Sequence, residues 1–189
     1  MLYTIPYMST YKFDYKEYSW SHTWIDIIVP KWTPIRSIAN WVVVDVKNNS
    51  ANFWNYVVVR HDNVPLPNWE TWNIYALFWH MSSISVVEWQ KVNKWFIIWE
   101  VWSTWISTTN HLHFQIDLES APFKPYWPFS ANEMKKAKVD FFDAVNIWLG
   151  QQDAIKYTIN PLKFVNNFLN YSVDISKKTD NISKKEEKD

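Results

Sequence analysis

The sequence predicts an all-β core of short antiparallel strands, a sandwich or barrel, followed by a C-terminal helical extension. Three observations predict it. Between about 24 and 117 the chain runs in short β-rich segments broken by turn-like positions. Pro122, Pro125 and Pro128 then mark an extended exit from that unit. Beyond Ser130 the apolar residues recur at helical spacing.

Taken in order, residues 1–19 are polar and aromatic without a clear period and read as a lead-in. Strands are expected over 25–29, 42–46, 56–60, 73–78, 96–98 and 111–118, where Val, Ile, Tyr and Phe cluster. The stretch from His61 to Trp72 carries Pro and Asn and reads as a loop that rims a groove. The β unit thus spans 20–120 and the exit and extension 121–171. Ser130 followed by Glu133 is a capping box, and Met134, Ala137, Phe141, Val145 and Leu149 follow on one helical face up to Gly150. Asn160-Pro161 opens a second helix with an N-cap and an N1 proline. Residues 172–189 are almost all charged or polar and read as a solvated, disordered tail.

Composition excludes several functions. The 19 basic and 19 acidic side chains cancel, which argues against a phosphate-tracking nucleic-acid binder. With no Cys there is no disulfide framework, thiolate nucleophile or Cys-ligated zinc. No apolar run approaches the ~20 residues of a transmembrane segment. The first residues show no basic n-region followed by an apolar stretch, so no signal peptide is visible.

Glycine and tryptophan are out of proportion. A β-rich chain of this length would carry about 13 Gly at the usual ~7%, yet there is one Gly and there are 15 Trp. The Trp stand where turns are expected, as in Lys31-Trp32-Thr33-Pro34 and Asn40-Trp41. The expectation is that most of them are glycine in the living protein, with UGA codons read as Gly. The alternative is a genuinely Trp-rich domain that stacks sugars on indole faces.

Five His are available for chemistry: 22, 61, 80, 111 and 113. On a strand, His111 and His113 share one face while Leu112 and Phe114 take the other. Such a pair is either solvent-exposed or a metal or catalytic site. His22 and Asp26, four apart at the mouth of a strand, can close on one ion, or Asp26 can cap a backbone N–H while His22 sits in a surface loop. His80 follows a strand end, a place more often structural than catalytic. His61 closes the 56–60 run and reads as structural or groove-lining.

Together these pieces resemble the lysostaphin-type zinc endopeptidases, the LytM family, over about residues 20–117. The family pattern is His-x-Gly-x-Asp, a Gly-Thr-Pro turn, Gly before a Val-rich strand, Gly-Asn, Tyr-x-His, a series of spaced Gly, and His-x-His-Phe. Here it reads His22-Thr23-Trp24-Ile25-Asp26, Trp32-Thr33-Pro34, Trp41-Val42-Val43, Trp54-Asn55, Phe78-Trp79-His80, then Trp89, Trp95, Trp99, Trp102 and Trp105, and His111-Leu112-His113-Phe114. Trp stands at each family Gly, and Phe78 stands where the family more often has Tyr.

The resemblance implies a barrel-sandwich hybrid core with His22, Asp26 and His113 as zinc ligands. It implies His80 and His111 as catalytic histidines that do not bind the metal. It further implies peptidoglycan peptides as substrate, a cell-envelope or extracellular location, and an envelope partner for the C-terminal helices. A non-catalytic envelope module of the same fold is the alternative.

Overall fold

The computed structural model describes residues 2–13, 15–18, 23–37, 39–47, 55–65, 70–79, 81, 84–101 and 111–167. The β elements are β1 (Leu2–Ile5), β2 (Tyr11–Phe13), β3 (Lys16–Tyr18), β4 (Trp24–Ile28), β5 (Pro34–Arg36), β6 (Trp41–Lys47), β7 (Tyr56–Pro65), β8 (Thr71–Trp79), β9 (Lys91–Val92), β10 (Ile97–Glu100) and β11 (His111–Leu118). The helices α1 (Ala131–Ala137), α2 (Phe141–Asn146) and α3 (Gln151–Tyr157) follow, then β12 (Thr158–Ile159). The main sheet is antiparallel throughout, in the order β1-β4-β11-β8-β7-β6-β9, with β12 added to β11. Two small sheets, β10-β5 and β2-β3, accompany it.

This is the predicted all-β core. Its interior is built from alternate residues of the Val- and Ile-rich strands, including Val43, Val57, Val59, Ile74, Ala76, Phe78 and Ile116, all essentially buried. A strand with one apolar face keeps its register only if that face stays inward, so β11 has one solution: Leu112, Phe114 and Ile116 face the core. His111, His113, Gln115 and Asp117 are thereby sent to the other face.

Three expectations change. The stretch from His61 to Trp72 is not one loop. β7 continues to Pro65 and β8 begins at Thr71, paired Val64↔Trp72 and Pro65↔Thr71 beyond a bulge, so both ends of the stretch are strand. The single helix expected over 130–149 is two. Lys138 takes a left-handed φ of 55°, and Asp140 starts α2 by accepting from the Asp143 N–H. The capping box of Ser130 and Glu133 is present as expected. Gly150 does not end that helix; it precedes α3 as its N-cap, in a stretch where no helix was expected. Asn160 accepts from the Leu162 and Lys163 N–H groups at the start of a helical segment over 161–167, as the Asn-Pro signature implies. The charged tail beyond 172 lies outside the described residues.

The extension is packed on the β unit. Phe164 joins the main core, β12 lengthens the sheet, and Ala121, Tyr126, Phe129, Ala144, Val145 and Ala154 form a second cluster. Among the described residues no helix is long and apolar enough to cross a membrane.

Candidate metal centre

β4 and β11 lie side by side, and their register sets Asp26 directly opposite His113 and Ile28 opposite His111. Opposed residues on an antiparallel pair share a face. The outward face of β11 therefore brings its imidazoles against the only carboxylate of β4. Asp26 Oδ1 lies 3.4 Å from His113 Nδ1 and 3.7 Å from His111 Nε2. Asp26 and His113 are buried and His111 is half-buried. One ligand atom from each of the three falls within 4.8 Å of the others.

The buried His113 imidazole and Asp26 carboxylate are donors that suit zinc, and the half-buried His111 imidazole stands beside them. Of the residues the sequence singles out, the structure thus brings Asp26, His111 and His113 together. His22 and His80 lie outside the described residues. Their neighbours in the chain abut the site. The Trp79 ring stands edge-on to the His113 ring at 4.3 Å. Thr23 Oγ1 donates to Gln115 Oε1 at 2.9 Å.

His61 is elsewhere and structural. It lies within β7, 2% exposed, and its Nδ1–H donates to the Asn40 carbonyl at 3.1 Å. Burial pushes its pKa from 6.5 down to about 4.

Two Trp crowd the centre. The Trp24 ring lies over the His113 ring with centroids 4.0 Å apart, Trp79 covers another side, and Trp127 packs on Trp24 at 5.1 Å.

Below the histidines the same face of β11 continues as a buried polar line that motif reading misses. Gln115 Nε2 donates to Asp117 Oδ1 at 2.6 Å and to the Tyr126 carbonyl at 2.9 Å. The Tyr126 N–H donates to Asp117 Oδ2 at 2.7 Å. Burial pushes the Asp117 carboxyl from 3.8 up to about 7, against the pull of its hydrogen bonds. Extending the i, i+2 alternation of His111 and His113 by two steps would have found both residues.

The chain matches peptidase family M23 over residues 21–125, more than half its length. It is 30% identical over 118 residues to the DD-carboxypeptidase/endopeptidase Mpg of Neisseria meningitidis serogroup B, covering 60% of this chain and 25% of that protein. The Mpg of Neisseria gonorrhoeae matches with the same identity and coverage. The chain therefore spans about a quarter of the length of these curated relatives. In fold it is similar to the catalytic domain of the antimicrobial peptidase lysostaphin from Staphylococcus simulans, with a TM-score of 0.52 at 17% identity, over 87% of this chain and 92% of that one. The whole lysostaphin gives a TM-score of 0.53 at 16% identity, over 87% of this chain and 50% of that one. With a β core of that architecture and a family match that encloses Asp26, His111 and His113, the chain belongs to peptidase family M23.

Proposed function

We propose that the protein is a zinc-dependent endopeptidase that hydrolyses peptide cross-links or stem peptides of bacterial peptidoglycan in the cell envelope or outside the cell. The observation that carries this reading is the meeting of Asp26, His111 and His113 across β4 and β11 in a chain of a peptidase family. The names of the Mpg relatives, DD-carboxypeptidase and endopeptidase, support the substrate class.

Asp26 and His113 are assigned as ligands together with His22. Held by three protein groups, zinc supplies a Lewis acid that acidifies a water and polarises a carbonyl. His111 is assigned the proton work. Its Nε2 is half-buried beside Asp26, close enough to take or return a proton without leaving the site. His80 is assigned as its counterpart, so that one of the two accepts the proton of the attacking water and the other donates to the developing oxyanion.

The test measures zinc content and release of soluble peptides from peptidoglycan, with and without a chelator. His113→Ala should lose both zinc and turnover. His111→Ala should keep its zinc and lose turnover by roughly 10²–10⁴-fold. Turnover that survives chelation, or a His111→Ala protein as active as its parent, overturns the reading.

A further inference from the structure

The left-handed region of backbone space suits glycine and strains a bulky side chain. Among the described residues, eight other than glycine lie there, and four of the eight are Trp: Trp32, Trp89, Trp95 and Trp148, at φ of 67°, 66°, 71° and 62°.

Three of the four repeat one geometry. The Thr33 N–H donates to the Pro30 carbonyl, Gln90 to Val87, and Phe96 to Asn93, each at 3.1 Å. Each bond closes a four-residue turn whose third residue is the Trp, and of the two central residues only the third has positive φ. That is the pattern of a type II turn, whose third position calls for Gly or Asn. The fourth is a different device with the same demand. Past the end of α2 the Leu149 N–H reaches the Ala144 carbonyl at 3.1 Å, and the Trp148 N–H reaches Val145 at 3.2 Å. This bond pair ends a helix with a left-handed residue, usually Gly, at the position Trp148 fills.

Packing does not offset the strain. The four Trp are 51%, 73%, 60% and 38% exposed in chain order. Trp41 errs the other way: at 4% exposed its indole Nε1 is buried without an acceptor among the described residues. One glycine against 15 Trp in a chain full of tight turns has the same cause.

We propose that these Trp positions carry glycine in the protein as its own cell makes it, the UGA codon being read as glycine. The reading extends to positions 24 and 79, where two indoles now lie against His113. With glycine there, that imidazole loses both covers and opens to an extended peptide chain, whose backbone can approach closely where no side chain intervenes. The substrate consequence rests on the peptidase reading; the identity of the residues does not.

The experiment is a tryptic digest of the protein purified from its native source, read by mass. Peptides 32–36 and 139–156 isolate positions 32 and 148. Peptides 17–31 and 61–91 carry positions 24 and 79, placed by fragment ions. The expected result is Gly at all four. Trp at 32 or 148 overturns the proposal, and Trp at 24 or 79 overturns the opening of the site. Because the readout is mass, a protein without peptidase activity leaves this result untouched and refutes only the functional reading.

Discussion

Two buried groups should pull the stability of this protein in opposite directions over the same pH range, and one substitution should expose it. Asp117 is fully buried, with its carboxyl raised from 3.8 to about 7. Between those values the unfolded chain ionises while the folded chain keeps its proton, so stability falls as pH rises. Each pH unit is worth about 1.4 kcal/mol, giving a loss of about 4 kcal/mol that is complete near pH 7. His61 is lowered from 6.5 to about 4. Its contribution is fully present above about pH 6.5 and lost as pH falls through about 4, amounting to about 3 kcal/mol. Summed, these two contributions nearly cancel, so the parent's own pH profile hides both.

Asp117→Asn removes one of them. An Asn at this position can accept from the Tyr126 N–H. If the Gln115 amide turns over, it accepts from the new amide and donates to the Thr23 hydroxyl, which can reverse its bond. The turned amide costs the Tyr126 carbonyl its donor, a pH-independent loss of about 1–3 kcal/mol that leaves the slope with pH readable. Urea unfolding of parent and variant between about pH 4 and pH 7 should then show the variant gaining about 4 kcal/mol on its parent with rising pH. His61→Gln, which keeps a donor for the Asn40 carbonyl, should show the reverse slope. Equal slopes in Asp117→Asn and its parent would refute the reasoning, because the other carboxylates are common to both.

Other expectations follow from the same structure. In the chain as written, Trp89→Gly should raise stability by roughly 0.5–1 kcal/mol: relief of a left-handed side chain, about 1–2 kcal/mol, outweighs the extra freedom glycine gives the unfolded state. Equilibrium unfolding checks this, and a loss of stability would contradict it. Phe164→Ala should cost about 3–5 kcal/mol in a single cooperative transition, since Phe164 is 7% exposed within the main core. An unchanged transition for the β unit would mean that the extension is a separate body.

How much of this could be read beforehand depends on whether the signal is local. β11 is legible to the residue, because a His-Leu-His-Phe alternation in a buried strand can face only one way. The capping box at Ser130 and the Asn160 cap are legible for the same reason: side chain and backbone partner lie within three residues. The break at Lys138 is not. Nothing marks Lys as a left-handed residue, and the apolar period runs straight through it. The lengths of β7 and β8 are not legible either, because Pro and Asn usually signal a loop, whereas here a bulge between His61 and Val64 absorbs them and the ladder continues. The meeting of Asp26 with His113 is a matter of register between strands 87 residues apart in sequence, which periodicity cannot supply; family likeness did.

The polar face of β11 joins the β unit to the extension, and this makes one residue outside the candidate metal centre informative. At one end of that face stand His111 and His113; at the other, Asp117 holds the Tyr126 backbone of the extension. Gln115 sits between them and reaches sideways to Thr23, which is fully buried and immediately precedes β4. The Thr23–Gln115 bond therefore fixes the entry of the strand that presents Asp26, while touching none of the proposed ligand atoms itself. Thr23→Val keeps the shape and deletes the hydroxyl. The Gln115 carbonyl oxygen then loses its donor, at about 1–3 kcal/mol, and the start of β4 is free to shift against β11. If that bond positions the ligands, zinc affinity should fall by roughly 10–100-fold, the usual scale for supports behind a metal ligand, while stability falls only modestly. Competition with a zinc indicator and a urea titration separate the two effects. Unchanged zinc affinity in a destabilised Thr23→Val protein would make the polar line a fastening between sheet and extension, with no part in setting the metal site.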